Sequence, residues 1–212
     1  MQDTDRSAPQ FGALSLLFFC SGVSGLVYQV CWQRLLFAAF GSDLPSVTII
    51  VSAFMAGLGL GALAGGRAAD LWPRHAMHLF CGCELGIGLF GAASPGLLRG
   101  AGELFVAMPL AVVAGVNFVL VLLPALLMGA TLPILVSYLA RAWRHVGRAT
   151  GQLYAINTLG AALGALAPTF WLLAHWPLSS VIRMAAALNL AVALAAWLLF
   201  RAQQARSQKA PA

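Results

Sequence analysis

Charge is what this sequence has least of. Only 8% of its 212 residues are charged, six of them acidic, where an ordinary soluble domain carries about 25%. A water-facing globular surface is thereby excluded. Short alternating segments are also missing, which argues against a transmembrane β-barrel. The four cysteines, Cys20, Cys31, Cys81 and Cys83, all lie in apolar stretches and behave as small packed hydrophobes. Cys81 and Cys83, two apart, fall on different faces of a helix. The histidines, His75, His78, His145 and His175, stand near segment ends without ligand spacing. No metal or cofactor is expected, and no nucleophile, base and metal constellation can be assembled, so the chain is not expected to be an enzyme. Its formal charge of +6 is dispersed over loop ends, which sets nucleic acid aside. The opening MQDTDRSAPQ lacks the positive start of a cleaved signal, so the first apolar segment reads as a retained helix.

What is present is apolar length. The hydrophobic share is 61% and mean hydropathy is +0.88. Segments of roughly 20 apolar residues, enough to cross about 30 Å of hydrocarbon, recur six times. They run from Phe11 to Trp32 with a possible oblique extension, Leu44 to Gly66, Ala76 to Ala93 (closed by Ser94-Pro95-Gly96), within Met108 to Leu139, Gly151 to Ala174, and Leu178 to Phe200. Residues 101–110 fit either an extension of the fourth helix or a surface segment. The predicted class is all-α: a polytopic membrane protein with a cytoplasmic N-terminus (1–10), a six-helix domain (11–200) and a cytoplasmic tail (201–212).

With both termini inside, nine of the twelve basic residues lie on the inner side and Arg34, Arg99 and Arg183 on the outer side, the bias expected of cytoplasmic loops. The inner nine include Arg67, Arg141 and Arg144. The location implied is a bacterial-type plasma (inner) membrane. Trp32, Trp171 and Trp176 fall near the outer ends and Trp72, Trp143 and Trp197 near the inner ends, like an interfacial aromatic belt.

Gly57, Gly61 and Gly65 recur every four residues in the second segment, and Gly160 and Gly164 do so in the fifth. Lipid tails are as apolar as leucine, so membrane helices associate through close backbone approach, which such stripes allow. They suit tight packing within the chain or a mobile or dimerising seam. Gly59-x-Gly61-x-x-Ala64 mimics a dinucleotide fingerprint, but that motif needs a preceding strand and is not a nucleotide site inside an apolar helix. Pro124 and Pro133 in LPALLMGATLP predict a kink or break, either a simple bend or a broken helix exposing backbone to a substrate. In GGRAADLWPRH, Gly66, Asp70 and Arg74 resemble the loop between helices two and three of major facilitator transporters, with Leu71 departing from the pattern. That resemblance implies a charged latch, Asp70 with Arg74.

Glu84 is the one carboxylate deep in an apolar run, FCGCELGIGLFGA, about 12 Å from the start of its helix at Ala76. Ionisable groups at such depth face the bundle interior and are functional candidates. Either the carboxyl holds a cation, such as a proton or a polyamine ammonium, or it ties its helix to a neighbour. Gln29 on helix one and Gln152, Tyr154 or Asn157 on helix five could serve as partners.

The stretches SGVSGLVYQVCWQRLLFAAFG, FMAGLGLGALAGGRAAD, CELGIGLFG, LPALLMGATLPIL and GQLYAINTLGAALGAL, in that order, resemble the membrane region of the spermidine-synthase-like membrane proteins. Those proteins join a half-major-facilitator-like helical domain to an aminopropyltransferase-like domain with a glycine-rich nucleoside loop and catalytic acids. The resemblance implies a half-transporter-like bundle. The soluble domain is not represented in these 212 residues, so its activity is not carried over. The expected role is a non-catalytic integral membrane subunit that anchors, scaffolds or regulates a protein partner. The alternative is a half-transporter working as a homodimer on a cation or an organic amine such as a polyamine. The lipid bilayer is a partner in either case.

Overall fold

The computed structural model describes residues 4–40, 43–105, 107–140 and 146–209. Arg141, Trp143 and Arg144 of the expected inner-side set, and the extreme ends of both termini, lie outside the described residues. Among the described residues there is no strand. The elements are α1 (Thr4–Phe40), α2 (Asp43–Leu71), a 3-10 turn (Pro73–His75), α3 (Ala76–Leu104), α4 (Leu110–Ala140), α5 (Val146–Ala167) and α6 (Leu178–Lys209). Between α5 and α6 come a π-helical turn (Pro168–Leu172) and a last helical turn (Leu173–His175). Among the described residues six helices are long and apolar enough to cross a membrane.

The helices pass back and forth. One end of the bundle, here the near end, holds the starts of α1, α3 and α5 and the ends of α2, α4 and α6. The pairs that run closest are α2 with α4, α1 with α5, and α3 with both α6 and α4, while α6 also lies along α1. Two apolar clusters fill the interior. The near-end cluster includes Leu14, Phe18, Phe80, Ile134 and Val192. The far-end cluster includes Tyr28, Trp32, Ile50, Phe54, Ile87 and Ile182.

Two pairs are held by close backbone approach. On α2, Ala53, Gly57, Gly61, Gly65 and Ala69 are buried, whereas most residues between them are exposed. A methyl group at Gly57, Gly61 or Gly65 would overlap Ala125, Leu126 or Ala130 of α4, and one at Gly129 of α4 would overlap Leu58 of α2. Between α1 and α5, added methyls at Gly160 and Gly164 would overlap Phe19 and Val23, and one at Gly22 would overlap Asn157. Both pairs thus use glycine from each side of the contact. In hydrocarbon this geometry supplies the dispersion contact that a hydrophobic driving force does not.

Several helix ends differ from the sequence expectation. The Ser94-Pro95-Gly96 stop is absent: α3 continues to Leu104 with Pro95 inside it. Proline removes the N–H that would bond the carbonyl four residues earlier, here that of Gly91. The Ser94 hydroxyl donates to that same carbonyl at 2.8 Å, so the freed acceptor is satisfied and the helix need not end. Residues 101–104 therefore extend the third helix, not the fourth. Likewise α4 is helical through both Pro124 and Pro133, so of the two alternatives, kink or break, the break does not occur. In α2 the helix continues through Asp70 to Leu71, where a turn was expected from Gly66 onward.

Trp32 corrects the aromatic belt. Because α1 is 37 residues long, about 55 Å at 1.5 Å per residue, Trp32 is well short of its end. It is fully buried, stacks on Tyr28 with centroids 4.9 Å apart, and its indole N–H donates to Ser94 Oγ at 2.8 Å. Trp72 and Trp171 are exposed near helix ends, and Trp197 is exposed within α6.

Candidate functional site

Glu84 is 0% exposed and sits where α1, α3 and α6 meet. The Ser21 hydroxyl on α1 donates to one carboxyl oxygen, Oε1, at 2.6 Å. The Asn189 side-chain amide on α6 donates to the other, Oε2, at 2.6 Å. Three helices are thus joined through one carboxyl group, with both of its oxygens occupied. Ser21 is itself fixed locally, since its carbonyl accepts the Ser24 hydroxyl at 2.9 Å.

The local spacing explains why these three meet. On α3 the buried residues Met77, Phe80, Glu84, Ile87, Gly91, Ser94 and Leu98 alternate steps of three and four. On α6, Ile182, Ala185, Asn189, Val192 and Ala196 are buried in the same rhythm. This is the seam pattern of helices wound along one another. Glu84 and Asn189 both lie on these seams, and the Asn189 amide reaches Glu84 across the α3–α6 contact. On each of the three helices the polar residue lies between the near-end cluster and the far-end cluster. It forms a single polar layer separating two apolar cores.

The sequence-predicted partners lie elsewhere. Gln29 is half-buried on α1, two turns beyond Ser21. Gln152 and Tyr154 are exposed on α5. Asn157 is half-buried and packs its carbonyl and its side-chain oxygen toward Gly22, beside Ser21 but not on the carboxyl. Asp70 and Arg74 are both exposed, Asp70 in the last turn of α2 and Arg74 in the 3-10 turn. Asn117 bonds its own helix at the Val113 carbonyl, not a neighbouring one. The residues missed by sequence reasoning were Ser21 and, as the specific partner of Glu84, Asn189. The shared three-and-four spacing of α3 and α6 was the available signal for the second.

Chemically, the layer holds a carboxyl group and two donors. Among the described residues there is no group of three or more metal-ligating side chains. The Oδ1 of Asn189 and the hydroxyl of Tyr28 are buried without a partner. A groove on the outer face of α4, lined by Ala111, Val112, Gly115, Val116, Val119 and Leu120, is apolar and on a different helix from any residue of the layer.

No protein-family profile and no solved structure matches the chain. It is similar to the polyamine aminopropyltransferase of Corynebacterium efficiens, 34% identical over 180 residues, covering 82% of this chain and 32% of that protein. Polyamine aminopropyltransferase of Mycobacterium tuberculosis is 33% identical over 187 residues, 80% of this chain and 32% of the relative. Polyamine aminopropyltransferase 2 of Streptomyces coelicolor is 28% identical over 172 residues, 77% of this chain and 29% of the relative. The chain spans about a third of the length of the curated relatives it matches. These similarities correct the expectation that the chain stands outside enzymes: the proteins matched along four-fifths of it bear an enzyme's name. That expectation rested on the want of catalytic groups among the helices, and such a want says nothing of an enzyme whose similarity to this chain occupies a third of its length.

Proposed function

We propose that this chain forms the membrane-embedded part of an aminopropyl-transferring enzyme of polyamine metabolism, and that its six helices hold that activity at the bilayer. The observation that carries the reading is the similarity along 82% of the chain to one third of a protein named polyamine aminopropyltransferase. The six apolar helices suit an anchoring part. The partner of the bundle, on this reading, is the aminopropyl-transferring domain, on the same polypeptide or another. The basic-residue bias supports a reading with both termini on the cytoplasmic side of a bacterial-type inner membrane.

The polar layer serves this role as an interhelical clasp. A buried carboxyl whose two oxygens each receive a donor fixes the mutual register of three helices, as single polar residues do in apolar seams. The amine-transporting homodimer has no observation of its own in favour.

The test is to tag the chain in its native host, extract it gently and identify what accompanies it, while assaying membranes for aminopropyl transfer to a diamine. The reading expects membrane-associated transfer that co-purifies with the chain and leaves the membrane fraction when the chain is deleted. Transfer activity that is indifferent to the deletion overturns it. So does recovery of the chain alone as a dimer whose polyamine uptake is lost in Glu84→Gln.

A further inference from the structure

The near end of the bundle carries a second arrangement that the clasp does not use. Arg74 and His75 in the 3-10 turn, His78 in the first turn of α3 and Arg201 on α6 are all exposed. They gather where α3 begins and α6 leaves the apolar region. His75 and His78 have ring centroids 5.9 Å apart, and His78 meets Phe200 of α6 edge-on at 4.9 Å. The Arg201 guanidinium lies 4.5 Å over the Trp197 ring. Stacking of this kind engages the flat face of the guanidinium and leaves its in-plane N–H donors for another acceptor.

Directly below these groups the surface turns apolar. Leu194, Trp197 and Leu198 are exposed on α6. On α3, Gly82 follows His78 by one turn on the same outward face, and nothing lies within 4 Å of the place its Cβ would take. The α6 exit is braced from α4, since the Tyr138 hydroxyl donates to Gln203 Oε1 at 2.6 Å. The near end thus presents exposed guanidinium and imidazole groups beside exposed apolar residues of α6 and the open face at Gly82. The acids among the described residues at this end are Asp5 in the first turn of α1 and Asp70, exposed at the close of α2.

The geometry points to a binding site for the headgroup of an anionic phospholipid at the α3–α6 near end. Arg74, His75, His78 and Arg201 receive the phosphate, and acyl chains run over Trp197 and the open face at Gly82. Charge complementarity selects the occupant: basic side chains near an anionic membrane surface are drawn to it, and a bilayer lipid supplies both the phosphate and the tails. At the far end, by contrast, Arg183 directs its guanidinium to the Ser179 carbonyl and Ser180 hydroxyl of its own helix.

The experiment is to purify the whole chain in detergent and follow its thermal unfolding and its bound lipid, by intact-complex mass spectrometry, with phosphatidylglycerol, phosphatidylcholine or inorganic phosphate added. Phosphatidylglycerol is expected to raise the unfolding temperature and remain bound through purification, and the other two are not. In Arg74→Gln/His78→Gln/Arg201→Gln the phosphatidylglycerol shift disappears, while Arg34→Gln/Arg99→Gln keeps it. If the triple variant does not fold, Arg201→Gln alone should lower the retained phosphatidylglycerol. Equal shifts with both lipids, a shift produced by phosphate alone, or retention unchanged in these variants overturns the proposal.

Discussion

The α2–α4 and α1–α5 pairs and the α1–α3–α6 junction solve the same problem by opposite means. In the pairs, glycines remove side chains until backbones touch, and contact is spread along several turns. At the junction, one carboxyl and two donors concentrate the link at a single depth. The comparison teaches that within one bundle shape holds some helices and chemistry holds others. Shape tolerates no added volume, whereas chemistry tolerates no lost partner.

The largest disruption should come from breaking shape. Gly61→Leu or Gly164→Leu must push two backbones apart, because even a methyl group overlaps Leu126 or Val23. Overpacking typically costs about 1–3 kcal/mol and occasionally more, and these substitutions belong at the upper edge. Unfolding in bicelles should show it, together with loss of a cysteine crosslink engineered across the affected pair.

Next comes the lost partner. Glu84→Ala leaves the Ser21 hydroxyl and the Asn189 amide buried without an acceptor, and unsatisfied buried groups cost about 1–3 kcal/mol. Glu84→Gln sharpens the contrast. Its amide can donate to Asn189 Oδ1, which is unpartnered in the native structure, so the same unfolding measurement should show a loss below about 1 kcal/mol, the range of a membrane hydrogen bond. If Gln proves as harmful as Ala, the layer depends on the carboxylate and not on hydrogen bonding. Asn189→Ala removes one of the two bonds and should cost about 1 kcal/mol.

The most local effect is expected at Ser94. Ser94→Ala uncovers the Gly91 carbonyl and strips the Trp32 indole of its acceptor, in an apolar setting where an unsatisfied polar group is costly. The expected loss is about 1–3 kcal/mol, and amide hydrogen exchange around residues 91–98 should quicken before the rest of α3.

The six spans were legible because bilayer thickness fixes how many apolar residues a crossing needs. Helix ends were less so. Pro95 reads as a terminator until Ser94 is seen to take over the orphaned carbonyl, and Trp32 reads as interfacial until α1 is seen to run on to Phe40. Glu84 stood out because an isolated carboxyl in hydrocarbon is conspicuous from one segment alone. Its partners did not, since Ser21 and Asn189 are separated from it by 63 and 105 residues. Which helices adjoin is decided by packing that no single segment records. The likeness of spacing in α3 and α6 carries that information, but only once both are read as seams.

The Ser94 hydroxyl has a genetic consequence. Its acceptor is vacant only because residue 95 is proline. Were Pro95 replaced by alanine, the backbone would reclaim the Gly91 carbonyl, and Ser94→Ala would then be nearly silent but for the indole of Trp32. The two positions are therefore not inherited independently: the effect of a change at one is set by the residue at the other, and a drifting sequence can cross from Ser-Pro to Ala-Ala more easily by losing the proline first.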